Sequence, residues 1–154
     1  MFTATAHRVA VNTADEFNRQ IQQETRRRVA ATAASGRLAI ERRLRELDQE
    51  WDIERYLETM APTITLIGIG LGLTRGRAWL ALPIMVQTFF LQHALQGWCP
   101  PIPVLRRLGV RTSSEIEQER YALKALRGDF RHISSGAAPD DAAAAAEAYR
   151  AAQV

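Results

Sequence analysis

The stretch that decides the fold is APTITLIGIGLGLTRGRAWLALPIMVQTFFLQHALQGWCPP, which covers residues 61–101. It is almost entirely apolar as far as Leu95, and one charged break, Arg75-Gly76-Arg77, divides it into two arms. Two long apolar segments joined by a tight turn are hard to cover in so small a soluble chain. The pattern therefore predicts a helical hairpin that crosses a lipid bilayer twice.

The first arm contains glycines at a spacing that suits close helix packing. Pro62 can start a helix, because its missing N–H would have no partner in the first turn. Gly68 and Gly72 form a GxxxG pair, which lets two helix backbones approach in lipid; the alternative is that glycine is simply common in membrane helices. From Pro62 to Thr74 a helix rises only about 18 Å, against a hydrocarbon core of about 30 Å. The short first arm is therefore evidence against a full crossing.

The second arm has the length of a bilayer and a polar stripe. Trp79 and Trp98 bracket it at a separation of about 28 Å of helix, which suits two interface anchors. Thr88, Gln92 and Gln96 lie four residues apart and share one helix face. In lipid this stripe should pack against another helix, where it can form hydrogen bonds. In water the same stripe would be the polar side of an ordinary globular helix.

Helices are also predicted before the hairpin. Thr13 and Glu16 have the spacing of a capping box, and residues 14–34 are mostly good helix formers that end at Ser35-Gly36. A second amphipathic helix is predicted over residues 37–60. Its apolar stripe consists of Ile40, Leu44, Leu47 and Trp51. Mixed charges on the other faces indicate a solvated surface.

A further helix is predicted after the hairpin. Thr112 and Glu115 form another capping box, and the helix should run over residues 114–127 and end at Gly128. We expect it to pack against the helix of residues 37–60. The side chains predicted to face inward are Ile116, Tyr121, Leu123 and Leu126.

The predicted fold class is all-α, a two-pass transmembrane hairpin with long amphipathic cytoplasmic helices on both sides. The predicted parts are N-terminal cytoplasmic helices over 1–60, the hairpin over 61–99, a C-terminal cytoplasmic helix over 100–133, and an alanine-rich tail, flexible or loosely helical, over 134–154. Arginines are more numerous on the two flanks than in the turn, so the positive-inside rule places both termini in the cytoplasm.

Composition narrows the classes of function. The chain has 154 residues, a formal net charge of +3 and one cysteine, so an internal disulfide is impossible. Its arginines alternate with acids and form no clean basic stripe, which argues against nucleic-acid binding. The sequence contains no pattern of a catalytic or metal site, and we expect no cofactor and no enzymatic activity of its own.

The exit of the second arm carries a family resemblance. GWCPP at residues 97–101 is followed by IPVL at 102–105 and by Leu108-Gly109. Together with the hairpin pattern, this resembles the two-helix inner-membrane domain of YgaP-like proteins over residues 50–110. In that family the domain can anchor a rhodanese sulfurtransferase, but the rhodanese active-site loop is missing from this chain. The resemblance implies a membrane fold and self-association, and it does not imply sulfur transfer.

Two side chains in this region have alternative interpretations. Cys99 could be an acylation site or a reactive thiol that accepts sulfur from a partner. Alternatively, it is a small residue packed at a helix end, which is the interpretation favoured here. His93 could ligate a cofactor or relay protons. A buried histidine that is hydrogen-bonded to a glutamine or threonine is the favoured interpretation.

Three functional hypotheses follow. The first is a structural, assembly or partner-recruiting protein in the lipid bilayer, which forms a homodimer or a larger membrane complex. The second is a membrane-bound carrier of sulfur or persulfide that uses Cys99. The third is a soluble helical interaction protein. The first fits the sequence best.

Overall fold

The structure, a computed structural model, describes residues 8–131 together with Ala148 and Tyr149. Within residues 8–131 every regular element is helical, which confirms the predicted all-α class. The α-helices are α1 (Arg8–Val11), α2 (Asp15–Ala34), α3 (Arg37–Gln49), α4 (Ile53–Thr74), α5 (Ala81–Gln96), α6 (Ile102–Arg107) and α7 (Ser113–Arg127). A 3₁₀ helix over Arg77–Leu80 leads into α5. Most of the predicted alanine-rich tail of residues 134–154 lies outside the described residues.

Several helix ends follow local rules in the sequence. The predicted capping box before α7 is confirmed, because the Thr112 N–H donates to Glu115 Oε2 at 2.9 Å and the Glu115 N–H donates to Thr112 Oγ1 at 3.3 Å. Gly36 and Gly128 have positive φ angles of 88° and 94°, which glycine adopts without a steric penalty. The predicted ends of α2 and α7 at these glycines are therefore confirmed.

The start of α4 corrects the sequence analysis. The predicted single helix over residues 37–60 is wrong, because α3 ends at Gln49 and a new helix begins at Ile53. Asp52 causes this restart, since its carboxylate accepts a hydrogen bond of 2.8 Å from the N–H of Arg55. Pro62 does not start a helix but lies inside α4. With 22 residues, α4 rises about 33 Å, but its first six residues include Glu54, Arg55 and Glu58, and the uncharged part over 59–74 rises only about 24 Å.

The chain divides into two compact units. The first contains the described residues up to Glu24 and Glu50–Ile116, and its main feature is the packing of α4 against α5. Three contacts run antiparallel along this α4–α5 pair. They are a hydrogen bond of 2.7 Å from Gln87 Nε2 to Thr65 Oγ1, the approach of Gly68 to Pro83, and the approach of Gly72 to Leu80.

An apolar core lies at the end of the α4–α5 pair where α4 begins and α5 ends. It contains buried side chains from α1, α4 and α6 and from the segment between α5 and α6. These are Val9, Ile53, Leu57, Cys99, Ile102 and Leu105. The short helices α1 and α6 are therefore held by burial of apolar area, because four to six residues do not form a stable helix alone.

The second unit contains Thr25–Gln49 and the described residues from Glu117 onward. Ile40, Leu44 and Leu47 of α3 are buried, as the predicted stripe requires, whereas Trp51 lies outside α3 and is exposed. Leu123 of α7 is also buried. The predicted contact between these helices is present, since Arg43 Nε donates to Glu119 Oε1 at 2.8 Å and Arg120 pairs with Asp48.

Two side chains of α7 depart from the predicted inward face. Tyr121 and Leu126 are 45% and 52% exposed, so their predicted burial is wrong. Glu119 is buried instead, on the face that carries Ile116 and Leu123, and its carboxylate pairs with Arg43 and Arg28. The inward face of α7 thus includes a paired charge, which the apolar pattern does not report.

We predict that Gly68→Ala weakens the α4–α5 pair and that Gly70→Ala does not. A Cβ at Gly68 would lie 2.5 Å from Pro83 Cδ, and the proline ring cannot move aside as a flexible side chain does. A Cβ at Gly70 meets no atom within 4 Å. We expect Gly68→Ala to lower the free energy of unfolding by about 1–3 kcal/mol, measured by circular dichroism during denaturation in mild detergent.

Gly70→Ala is the matched control, because it makes the same change on the same helix. It should leave the free energy of unfolding unchanged or raise it by up to about 1 kcal/mol, since alanine has the higher helix propensity. Equal effects of the two variants would contradict the close approach at Gly68.

Candidate functional site

Large apolar side chains project outward from both helices of the α4–α5 pair. Leu73 is 81% exposed, and others on both helices are exposed as well. We call this surface the apolar belt; it consists of Leu66, Ile67, Ile69, Leu73, Ile84, Met85, Leu91 and Leu95. In the most apolar 18-residue stretches of 37–74 and 77–96, only 17% and 11% of the residues are buried. The core helix of a soluble protein would be mostly buried, so the belt is an unusual surface.

The two helices also share a length and a distribution of charge that suit a membrane-spanning segment. By length and composition both are able to cross a membrane. Residues 59–74 and 78–105 contain no Asp, Glu, Lys or Arg. Trp79 lies at the turn and is exposed, and Trp98 lies beyond the other end of α5 and is partly exposed. The two predicted interface anchors therefore lie at opposite ends of α5.

Threonine hydroxyls on these helices are bonded within their own helix. In each case the hydroxyl donates to the carbonyl of the residue four positions earlier, at 2.6–2.8 Å. The residues are Thr59, Thr63, Thr74 and Thr88. Such bonding satisfies the hydroxyl without water. These polar side chains are therefore compatible with an apolar environment.

The predicted polar stripe of α5 does not form the contact with α4. Thr88 and Gln96 are exposed and Gln92 is partly buried. The cross-helix hydrogen bond comes instead from Gln87, which bonds to Thr65. The stripe is predicted from the spacing of polar residues on α5 alone. This spacing does not show which face of α5 contacts the glycines of α4.

The predicted packing glycines lie at the interface of the α4–α5 pair. Gly68 and Gly72 are both buried, and a Cβ on Gly72 would overlap the side chain of Leu80. The absence of a side chain at these two positions is therefore what allows α5 to lie close to α4. Both glycines contact the same chain, so this GxxxG surface is already occupied within one molecule.

An apolar crevice of about 200 Å³ lies beside Cys99. Its walls come from α4, α5 and the segment that follows α5. They include Leu57, Met60, Ile64, Phe89, Phe90 and Pro101. Cys99 is 6% exposed, and burial raises the pKa of its thiol. A buried thiol with a raised pKa is a poor nucleophile at neutral pH.

His93 belongs to a charged cluster. Its Nε2 lies 2.8 Å from Glu54 Oε2, and Glu54 in turn pairs with Arg8 at 3.4 Å. Arg8 also donates to the carbonyl of Ala94 at 2.7 Å. The expectation that a glutamine or threonine bonds His93 is therefore wrong. The carboxylate of Glu54 takes that place, because α5 returns past the first turn of α4.

Arg106 forms the most buried ion pair of this unit. It is 1% exposed and donates to both oxygens of Glu115 at 2.7 and 2.8 Å, and to Asn18 Oδ1 at 2.7 Å. Burial alone would raise the pKa of Glu115, but the hydrogen bonds from Arg106 and Thr112 outweigh it and hold this pKa below its ordinary value of 4.5. The hydrogen bonds of Arg106 thus connect α6 with α2 and α7.

A second arginine completes the charged side of the unit. Arg111 donates to both oxygens of Glu50 at 2.8 and 2.7 Å, and its carbonyl accepts the N–H of Ile53 at 3.0 Å. We call these groups the polar end; it consists of Arg8, Glu50, Glu54, His93, Arg106, Arg111 and Glu115. Six of its seven members have charged side chains, and these six form three ion pairs with one another. The polar end lies where α4 begins and α5 ends, opposite the turn.

Comparisons with known proteins add no family to this description. No protein-family model matches the chain, and searches of the curated proteins and of the solved structures find no match for it. The resemblance to YgaP-like membrane domains consequently stays a prediction from sequence.

We predict that Glu115→Gln destabilises the protein near neutral pH. Because the pKa of Glu115 is lowered on folding, its ion pair contributes fully above about pH 4.5 and is lost as the pH falls through the lowered value. At pH 7 the variant should lose about 3 kcal/mol of unfolding free energy, because Arg106 keeps a buried charge. At pH values below both pKa values the difference from the wild type should disappear.

Glu117→Gln provides the control for this measurement. Glu117 pairs with Arg120 at the surface and is about half exposed, so its loss should cost less than about 1 kcal/mol. A pH-independent difference between Glu115→Gln and the wild type would contradict the role of the ion pair.

We predict that Cys99 reacts slowly with iodoacetamide in the folded protein and rapidly after denaturation. The reasons are its burial and the raised pKa of its thiol. Ser35→Cys in a Cys99→Ser background supplies an exposed thiol for comparison. Mass spectrometry of the alkylated protein measures both rates. Equal rates for the two folded proteins would restore Cys99 as a reactive thiol.

Proposed function

We propose that this protein is a small integral membrane protein whose α4–α5 pair crosses a bilayer twice and anchors helices on one side. The observation that carries the proposal is the apolar belt, a set of exposed apolar side chains on two long helices. Water is a poor solvent for such a surface, whereas lipid chains solvate it without cost.

The dimensions of the two helices support the proposal. The uncharged part of α4, residues 59–74, rises about 24 Å, and the segment from Arg77 to Gln96 rises about 30 Å. The second length matches a hydrocarbon core of about 30 Å. The first is shorter by several ångströms, a mismatch that local thinning of the bilayer accommodates at modest cost. The exposed Trp79 at the turn suits the lipid interface on that side.

The placement of charge supports it as well. The ionised side chains of the polar end gather beside the start of α4 and the end of α5, and they neutralise one another. A charge on the middle of either helix would be costly in lipid, and residues 59–74 carry none. We place the polar end, and with it both termini, on the cytoplasmic side of a bacterial inner membrane, where the flanking arginines are favoured.

The proposed activity is structural: an assembly or partner-recruiting module that self-associates, without catalysis. The charged surfaces of α3 and α7 are the surfaces that would meet partners. Because Gly68 and Gly72 are occupied within one chain, association with a second copy would use another part of the belt. The burial of Cys99 favours this function over a thiol carrier.

Alkaline carbonate extraction tests whether the protein is integral. We expect the full chain to stay in the membrane pellet, because the apolar belt holds it by hydrophobic burial and not by charge. Release into the supernatant would leave only the soluble alternative.

Labelling with a membrane-impermeant maleimide tests whether α4 crosses the membrane, which two crossings require. In a Cys99→Ser background, Ser35→Cys should react in inverted vesicles and Ala78→Cys in spheroplasts of a bacterial host. Both positions are exposed, so a difference in labelling reports sidedness. Labelling of both from the same side would contradict two crossings.

Co-purification of two differently tagged copies in mild detergent measures self-association.

A further inference from the structure

The arginines at the two ends of the α4–α5 pair are balanced differently. At the polar end Arg8, Arg106 and Arg111 each pair with a carboxylate of the same unit. At the other end Arg75 and Arg77 flank Gly76 in the turn, and both are exposed. Neither has a hydrogen bond or an ion pair from its guanidinium to any described residue.

No carboxylate close to the turn in sequence can balance these two charges. Residues 59–114 contain no Asp or Glu, so the nearest acids along the chain are Glu58 and Glu115. Glu58 lies 17 residues before Arg75 on the same helix, a rise of about 25 Å. This exceeds the screening length of about 8 Å at physiological ionic strength. The turn therefore carries two positive charges whose partner must come from outside α4 and α5.

The surroundings of the turn indicate what this partner is. Leu73, the most exposed side chain of the apolar belt, precedes Arg75 by two residues, and the exposed Trp79 follows Arg77 by two. Apolar, cationic and indole groups thus succeed one another within seven residues. A bilayer surface offers acyl chains, an interfacial region for the indole and phosphates for the guanidinium groups within the same short distance.

We propose that Arg75 and Arg77 bind the phosphate of an anionic phospholipid, with Trp79 beside it at the lipid interface. The guanidinium groups supply planar, permanently charged donors that suit phosphate oxygens. An anionic lipid is selected over a zwitterionic one because it brings the net negative charge that the turn lacks. This inference rests on the proposed function, since it needs the turn at a bilayer surface.

Quenching of Trp79 by brominated lipids tests the proposal at the turn itself. The full chain with Trp51→Phe and Trp98→Phe retains Trp79 as its only tryptophan. It is reconstituted in vesicles of phosphatidylcholine with one tenth phosphatidylglycerol, and bromine is placed either on phosphatidylglycerol or on an equal fraction of phosphatidylcholine. We expect the quenching to report a local fraction of phosphatidylglycerol about fivefold above the bulk fraction, and to lose this excess at high salt.

Charge-matched variants separate the turn from the rest of the protein. Arg75→Gln/Arg77→Gln should abolish the excess quenching. Arg42→Gln/Arg45→Gln removes the same charge from exposed positions of α3 and should retain it. Equal quenching by the two brominated lipids, or equal loss in both double variants, would overturn the proposal.

Two further measurements distinguish failure of the proposed lipid binding from failure of the proposed function. If vesicles made wholly of brominated phosphatidylcholine do not quench Trp79, the turn is not at a bilayer and the proposed function fails first. Sodium phosphate should reduce the excess quenching no more than sodium chloride of equal ionic strength. A specific effect of phosphate would assign the turn to a soluble phosphate and overturn the choice of a lipid.

Discussion

The close approach of α4 to α5 is the contact on which the rest of the first unit depends. Gly68 and Gly72 remove two side chains from the interface, and Pro83 and Leu80 fill the space. Large apolar side chains on the other faces of the two helices point outward and form the apolar belt. The glycine contacts thus hold together two helices whose exposed faces are apolar.

The same approach brings the beginning of α4 to the end of α5, and this produces the polar end. Glu54 and His93 are 39 residues apart in sequence, yet 2.8 Å separates their side-chain atoms. Arg106 and Arg111 add two further pairs beside them. One end of the α4–α5 pair is therefore cross-linked by charge, and the other end is a bare turn with two arginines. The two ends differ in chemistry although the helices between them are similar.

Local signals in the sequence were sufficient for much of the fold. The capping box of Thr112 and Glu115 and the glycines that end α2 and α7 depend on residues four or fewer positions apart. The Asp52 cap is also a local signal, because it involves Asp52 and Arg55. The apolar positions on both sides of it predicted one continuous helix, so the new helix at Ile53 was not predicted. Reading Asp52 as an N-cap before Ile53 would have found it.

Contacts between distant residues could not be predicted in the same way. Nothing near His93 in sequence indicates Glu54, because their meeting depends on where α5 returns along α4. The hydrogen bond from Gln87 to Thr65 could not be predicted for a related reason, because it depends on which face of α5 contacts α4. The inward position of Glu119 on α7 likewise depends on Arg43, which lies 76 residues earlier in the sequence.

The first helix has a consequence for the order of assembly during synthesis. Arg8, Asn12 and Asn18 bond to residues 86, 84 and 88 positions later in the chain. At about 5–20 residues per second, the ribosome needs roughly 4–17 s to supply those partners. A four-residue helix does not persist alone for that time. The N-terminal segment therefore docks on α5 and α6 only after both have been synthesised.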